Sequence, residues 1–554
     1  MPTTRHARHH LRRTATVVAA LALAAGAGAQ AGAATAAAPV GSTSVAATGG
    51  LAATTADPVG DPAADAEAAV SEAGRLALAV GAGEQPTSTP VPIATPEGQV
   101  SSYVVNARTV GTVPMQQVLR SVRRAGGTVV KAWPQIGVVV AHSTHASFRD
   151  DVVRIGGTSV LSVGATRTVA VSERTAAPVR GIGSADSSRA GGLSTLAPGA
   201  AAPAAPEADP LEADQWDMRV IGADDAHEVT DGRRQVVVGV LDSGIDADHP
   251  DLAPNLDVAD SVNCTDAGAP DRSATGWQPT TSDHGTHVAG TVAAARNGVG
   301  IVGVAPAVRV ASVKVVNDDG FIYPEYAVCG FMWAGLRGMD VTNNSYYVDP
   351  FQFYCDDQPD QLAAKEAVRR AVSWSTRQGV VHAAAAGNSA YDLSAKTTDS
   401  SSPDDSAPVE RVINDDCQDI PAELDGVVTV ASLAQVGTGS DPLADTTLSS
   451  FSNRGLGKID VAAPGSRILS TVVTNNGYGL KSGTSMASPH VAGVLALMRS
   501  AHPTWAPARL VRELKADAVA KECTTTTAGA PCVGTVDDNS FYGAGVVDAL
   551  AAVR

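Results

Sequence analysis

The chain has 554 residues, more than one hydrophobic core usually serves, so at least two folded units are expected. Apolar residues make up 44% and aromatics only 4%, with 54 glycines, as in a globular protein of tight turns and close-packed helices. The formal charge of −17 argues against nucleic acid or an anionic membrane surface as a partner, since both reward cationic patches, and it suits a solvated surface.

The N-terminus reads as an export signal over residues 1–29. Arg5, Arg8, Arg12 and Arg13 precede an apolar run from Thr14 to Ala25, and the small residues Ala27-Gly28-Ala29 follow. The run is too short to span a bilayer. A secreted, extracellular protein with no membrane association after cleavage is therefore expected. Residues 30–99 are rich in Ala, Thr, Pro and Gly, with too few large apolar groups to offset the entropy of ordering, and are expected to be flexible.

Structure is expected from residue 100. Tyr103-Val104-Val105 reads as a strand, and Met115, Val118, Leu119 and Val122 give the i, i+3, i+4, i+7 stripe of a helix closed by Gly126-Gly127. Strands over Thr128–Ala132 and Gly137–Ala141 follow, then a helix carrying Phe148, Val152 and Ile155, then a strand over Val160–Val169. The order β-α-β-β-α-β is ferredoxin-like and bounds a small α+β domain at 100–172. Residues 173–206 return to Ala, Gly, Ser and Pro, the composition of a linker.

In residues 207–554, β-branched runs at Gln235–Leu241, Val308–Val316, Val380–Ala386 and Val427–Ala431 alternate with helical segments such as Gln361–Gln378. Near-continuous apolar strands of this kind are buried on both faces, so a parallel α/β sheet is predicted, with its chemistry at the strands' carboxyl ends. The six cysteines all lie in the C-terminal portion, and an even count in an exported chain favours disulfides. Cys523 and Cys532, flanking a short loop, are the readiest pair. No C-x-x-C motif points to zinc.

Four segments carry groups suited to chemistry. Asp242 follows the first buried run, where backbone amides keep a carboxylate ionised, with Asp246 as a rival and a plain turn as the alternative. His284 opens His284-Gly285-Thr286-His287-Val288-Ala289-Gly290, a segment whose small residues fit a closely packed helix; a pair of structural histidines would read the same way. Ser485 follows Gly483-Thr484 and opens a helix whose free N–H groups can hold an oxyanion, with Ser488 as its rival. Pro489 is expected in that helix's first turn. Asn388, in Ala385-Ala386-Gly387-Asn388-Ser389, is either a side-chain donor to developing negative charge or a turn asparagine.

Taken together, Asp242-Ser243-Gly244-Ile245-Asp246, His284–Gly290 and Gly483–His490, in the order Asp, His, Ser, resemble the subtilase (subtilisin-like serine peptidase) family. Gly303-Val304-Ala305-Pro306, Asp460–Gly465 and Tyr542–Asp548 support the resemblance, which spans Leu211 to the C-terminus. It implies catalytic Asp242, His284 and Ser485, an oxyanion-hole Asn388, a subtilisin-like parallel sheet with flanking helices, polypeptide substrates, no cofactor for the chemistry and a monomer. It also implies that residues 100–172 are an inhibitory propeptide, a partner removed by self-processing. Ser345, in Asn343-Asn344-Ser345-Tyr346-Tyr347, aligns with the family's substrate-binding strand. Tyr347 replaces a glycine there, which leaves broad or narrow specificity open. Asp251 and Asn297 fall where some members bind structural calcium, an assignment the sequence leaves undecided. Extra loops near Val348–Asp360 and Tyr391–Asp416 each have a cysteine within or beside them, and a Cys355–Cys417 bridge between them is expected. A silent binding protein on the same scaffold, or a processing enzyme with one dedicated substrate, are the competing readings.

Overall fold

A computed structural model describes residues 87–171, 208–439, 441–523 and 530–554. The expected export signal, the flexible segment up to residue 86 and the linker lie outside them. Residues 87–99 form no helix or strand, yet they are pinned: the Ser88 amide and hydroxyl donate to Asp357, and Ile93 is buried.

The first folded part runs β1 (Ser101–Ala107), α1 (Thr112–Arg124), β2 (Thr128–Trp133), β3 (Val138–Ser143), α2 (Phe148–Gly156) and β4 (Val160–Ala165). Its sheet order, β2-β3-β1-β4 with antiparallel neighbours, is the ferredoxin-like arrangement. The last strand stops at Ala165, short of the expected Val169, because the chain turns away to engage the larger domain. Thr168 donates its amide and hydroxyl to Asp405, and the Arg167 guanidinium pairs with buried Glu325 and stacks 3.8 Å over the Tyr323 ring.

The larger domain places two short helices, α3 (Trp216–Val220) and α4 (Ala223–His227), before β5 (Val237–Asp242), β6 (Val262–Asp266) and β7 (Ala269–Asp271). Then come α5 (His284–Ala293), β8 (Arg309–Lys314), α6 (Pro324–Arg337), β9 (Val341–Asn344), α7 (Pro359–Arg377) and β10 (Val381–Ala385). The short pair β11 (Thr398–Asp399) and β12 (Arg411–Val412) lies within the extra loop. It is followed by β13 (Val427–Gln435), β14 (Thr446–Leu448), β15 (Val461–Pro464), the hairpin β16 (Ile468–Val472) and β17 (Gly477–Lys481), and helices α8 (Thr484–Ala501) and α9 (Pro507–Asp517).

The main sheet has nine strands in the order β14-β13-β10-β9-β5-β8-β6-β7, with β15 also on β13. All pairings are parallel except those of the edge strands β7 and β14. Every residue of β5 is buried, as its β-branched run requires. Val238 and Val240 face the core shared with α5 and α8, while Val237 and Leu241 face α6 and α7. The small domain's sheet packs on α6 and α7, and its apolar residues continue that second core. Because β5 lies between β8 and β9, the chain order reverses beside it, and such switch points open a crevice at the carboxyl ends.

All six cysteines are paired, as Cys264–Cys329, Cys355–Cys417 and Cys523–Cys532. The second bridge joins the two extra loops as expected. It closes a separation of 62 residues, so replacing both of its cysteines by alanine should lower unfolding free energy by roughly 4 kcal/mol. A urea midpoint unchanged from the parent would show instead that packing alone holds these loops.

Candidate active site

Asp242 ends β5 and His284 begins α5, and the two side chains meet. His284 Nδ1 lies 2.9 and 3.0 Å from the two carboxylate oxygens of Asp242. The Ser243 amide also donates to Asp242 Oδ1 at 2.7 Å. The Ser243 hydroxyl accepts the Gly285 amide at 2.9 Å and so docks the helix start on the strand end. A glycine is needed at 285: a Cβ there would lie 2.5 Å from the Gly244 carbonyl oxygen and 3.1 Å from Asp242 Oδ1. Burial alone would push the His284 pKa down, but the charge and hydrogen bond of Asp242 outweigh it and raise the pKa above the ordinary value.

The competing residues have other duties. Asp246 accepts the Asp248 amide in a local turn. His287 is buried against the Ile468 and Gly479 carbonyls, and burial takes its pKa down to about 4. Ser488 is buried and donates to Asn343 Oδ1 at 2.7 Å.

Ser485 is the second residue of α8, so its N–H has no intrahelical acceptor. Pro489 is the sixth residue, in the second turn rather than the first as expected from the sequence. A proline there cannot donate to the carbonyl four residues back, that of Ser485. The Ser345 hydroxyl supplies the missing donor at 2.8 Å, and the Ser485 hydroxyl donates in return to the Ser345 carbonyl at 3.2 Å. This exchange ties the end of β9 to the start of α8. Among the described residues no hydrogen bond joins Ser485 to His284; catalytic hydrogen bonds are often loose before substrate binds.

Asn388 follows β10. Its Oδ1 accepts both the amide (2.8 Å) and the hydroxyl (2.9 Å) of Thr484, which leaves its NH2 group as the end free to donate. Thr484 Oγ1 also accepts the Gly387 amide at 3.1 Å. This positioning role was not legible in the sequence, where Thr484 was only the residue before the serine. Ser345, Asn388 and Ser485 line one cleft of about 300 Å³, together with Tyr347, Asp349, Asp404 and Asp419. The three acids drew no notice in the sequence because they sit in separate loops with no motif around them.

Asp251 and Asn297 also come together, beside Asp209. The Asn297 and Gly298 amides donate to Asp209, and the Ile301 amide donates to Asp251 Oδ2. Buried Asp251 Oδ1 finds no donor with good geometry among the described residues. Burial raises the pKa of Asp251, and the neighbouring Asp209 charge adds to this. No cluster of three or more His, Cys, Asp or Glu suited to a metal occurs among the described residues. Nor is any described helix long and apolar enough to cross a membrane.

Comparison with known proteins bears on this geometry. The family model described as Subtilase family matches residues 233–545. Subtilisin E of Bacillus subtilis (strain 168) is 34% identical over 320 residues, which cover 58% of this chain and 66% of that protein. A subtilisin of Bacillus pumilus is 33% identical over 319 residues, covering 58% of this chain and 91% of its own length. Among solved structures, the epidermin leader peptide processing serine protease of Staphylococcus aureus shares the fold at a TM-score of 0.57 and 20% identity, over 82% of this chain and 98% of that one. Fervidolysin of Fervidobacterium pennivorans matches at a TM-score of 0.57 and 21% identity, over 84% and 65% of the two chains. The chain belongs to the subtilase family, the subtilisin-like serine peptidases.

Proposed function

We propose that this chain is a secreted serine endopeptidase, made as a self-processed precursor, in which Ser485 is the nucleophile, His284 the general base and Asp242 the orienting carboxylate. The observation that carries the reading is the Asp242–His284 contact beside a cleft lined by both Ser485 and Asn388. With a peptide carbonyl in the cleft, the Ser485 hydroxyl leaves its bond to Ser345 and passes its proton to His284 as the oxygen attacks carbon. Asp242 holds the imidazole with its other nitrogen toward serine and stabilises the imidazolium. The Ser485 N–H and the Asn388 amide receive the oxyanion. His284 then protonates the leaving amine, and water hydrolyses the acyl-enzyme by the reverse proton route. Ser345, at the end of β9, offers its backbone to an extended substrate.

Residues 100–172 act in this reading as an inhibitory propeptide. The docking of β1 and β4 on α7 supports it, with Asn106 donating to the Ala363 carbonyl and the Ala165 amide to Asp360. Thr168 reaches Asp405, next in sequence to the cleft residue Asp404, so the end of the small domain arrives at the cleft rim. The three disulfides and the kinship with subtilisins support an oxidising, extracellular setting. The catalytic steps call on no cofactor. Asp209, Asp251 and Asn297 would hold a structural calcium ion instead, since an unpartnered buried carboxylate oxygen beside a second carboxylate suits a hard cation.

Three outcomes are expected. A fluorophosphonate should label the wild-type enzyme at Ser485, while Ser485→Ala should remain unlabelled, inactive and at precursor mass. Labelling of Ser485→Ala, or its maturation in the absence of other proteases, would remove the nucleophile assignment. Because His284 must be neutral to take the proton and its pKa is raised, kcat/KM should fall about tenfold per pH unit below an ionisation lying above the usual histidine value. Asp242→Asn should move that limb to lower pH; an unmoved limb would assign it to another group. Finally, EDTA should lower the thermal midpoint of the mature enzyme and calcium restore it, with roughly 4 kcal/mol at stake when the ion is at a thousand times its Kd. Asp251→Asn should abolish the response; an EDTA-insensitive wild type would rule the ion out.

A further inference from the structure

We infer that the pocket beside Ser485 is built for a cationic side chain, so that the enzyme cleaves after arginine or lysine. The inference rests on the peptidase reading above and adds its substrate class. The side chain of the residue that contributes the scissile carbonyl enters whatever pocket adjoins both nucleophile and oxyanion donor, and that pocket sets primary specificity. Here it is the cleft shared by Ser485 and Asn388.

Three carboxyl groups, Asp349, Asp404 and Asp419, line that cleft, and none of its lining residues is basic. Two of the acids each accept a donor from within the chain. Tyr347 donates its hydroxyl to Asp404 Oδ2 at 2.7 Å, and Asp349 accepts the Ile322 amide. Burial, with the charge of Asp404 beside it, holds the Asp349 carboxyl well above the usual range.

Asp419 is different. It is 1% exposed, and neither of its carboxylate oxygens has a hydrogen-bond partner among the described residues. Its position beneath the oxyanion segment is fixed: Oδ2 lies 3.5 Å from where a Cβ on Gly387 would stand. The nearby cations are committed elsewhere. Lys396 Nζ lies 2.6 and 2.7 Å from the Glu423 carboxylate, and Lys458 Nζ lies 3.0 Å from it. Glu423 also accepts the Asp419 amide at 2.8 Å, which holds the Asp419 backbone in place but leaves its side chain alone. Burial, reinforced by the Glu423 charge and opposed by Lys396, raises the Asp419 pKa well above its ordinary value.

A buried carboxylate with both oxygens unsatisfied is a costly arrangement, relieved by a partner that brings donors and positive charge. Arginine fits best, because a guanidinium meets two carboxylate oxygens with two parallel N–H groups, and lysine offers a single charged donor. The methylene stem of either side chain has apolar company on the way in from Ile322, Ala385 and the Tyr347 ring. Apolar substrates would leave Asp419 desolvated and unpaired, and sites built around a polar partner reject analogues that lack it.

The test uses self-processed enzyme whose active sites are first titrated with a fluorophosphonate. Fluorogenic peptides identical except for Arg, Lys, Leu or Phe before the scissile bond are then compared. Arg and Lys substrates should exceed Leu and Phe by roughly 100-fold or more in kcat/KM, and benzamidine should inhibit competitively. Asp419→Asn, with rates normalised to its fluorophosphonate-labelled sites, should lose about 10²–10³-fold on the Arg substrate and so collapse the ratio of Arg to Leu turnover. Equal or better turnover of Leu or Phe by the wild type overturns the inference while leaving the peptidase reading intact. This comparison stands even if the variant does not fold. An absence of labelling would overturn the peptidase reading, and this inference with it.

Discussion

A strand buried on both faces tolerates a charged side chain best at its end, where partners can reach it, and β5 imposes that constraint on the rest of this molecule. Val237 to Leu241 are committed to two cores, so Asp242 is the first residue of the strand at which a carboxylate can meet an imidazole. The ends of β9 and β10 deliver Ser345 and the Gly387-Asn388 turn, while Thr342 and His382, buried polar groups within them, are paired with one another. The parallel pairing of β5, β9 and β10 brings those ends to one edge, and the helix starts at His284 and Thr484 return to the same edge. Chemistry gathers there because it is the border of the buried sheet where polar groups are tolerated.

What holds the edge together is a set of hydrogen bonds that answer defects in regular structure. Pro489 removes a donor from α8, and the Ser345 hydroxyl fills the place. The first turn of α8 has amides without acceptors, and Asn388 takes the one at Thr484. In both cases a helix irregularity becomes a tie between a strand end and the helix that carries Ser485. The ties also orient: with Asn388 Oδ1 occupied by Thr484, only its donating end can face the cleft.

These relations explain which parts of the site were legible in the sequence. Asp242, His284, Ser485 and Asn388 each sit within a local pattern of small residues that packing requires, and Gly285 shows why, since no Cβ fits between α5 and the turn after β5. The ferredoxin-like order was legible for a similar reason: period-2 and period-3.6 patterns alternate cleanly from Ser101 to Ala165. Pro489 misled because propensity places proline in a first turn, whereas tertiary contact with Ser345 overrides that preference. The acids of the cleft were illegible because their meaning comes from convergence. Asp349, Asp404 and Asp419 look like ordinary loop acids until the Cys355–Cys417 bridge and the loop around β11 and β12 bring their segments to the mouth of the sheet.

The charge of −17 reads differently in this light. Spread over a surface it would describe solubility and little else, yet several of the acids are buried at meeting points. Glu325 and Asp360, in the first turns of α6 and α7, lie where helix N-termini favour negative charge, and they also receive Arg167 and Arg149 of the small domain. Asp405 holds Thr168 at the cleft rim by the same means. Each of these acids has a donor from within the chain. Asp419 has none for either oxygen of its side chain among the described residues, and it lies in the cleft that opens on Ser485. Among the cleft's acids, an unmet need for positive charge is thus placed where only an incoming chain can meet it. That arrangement couples the electrostatics of the fold to the choice of substrate, because the stabilisation withheld from the free enzyme becomes available when the right side chain is bound.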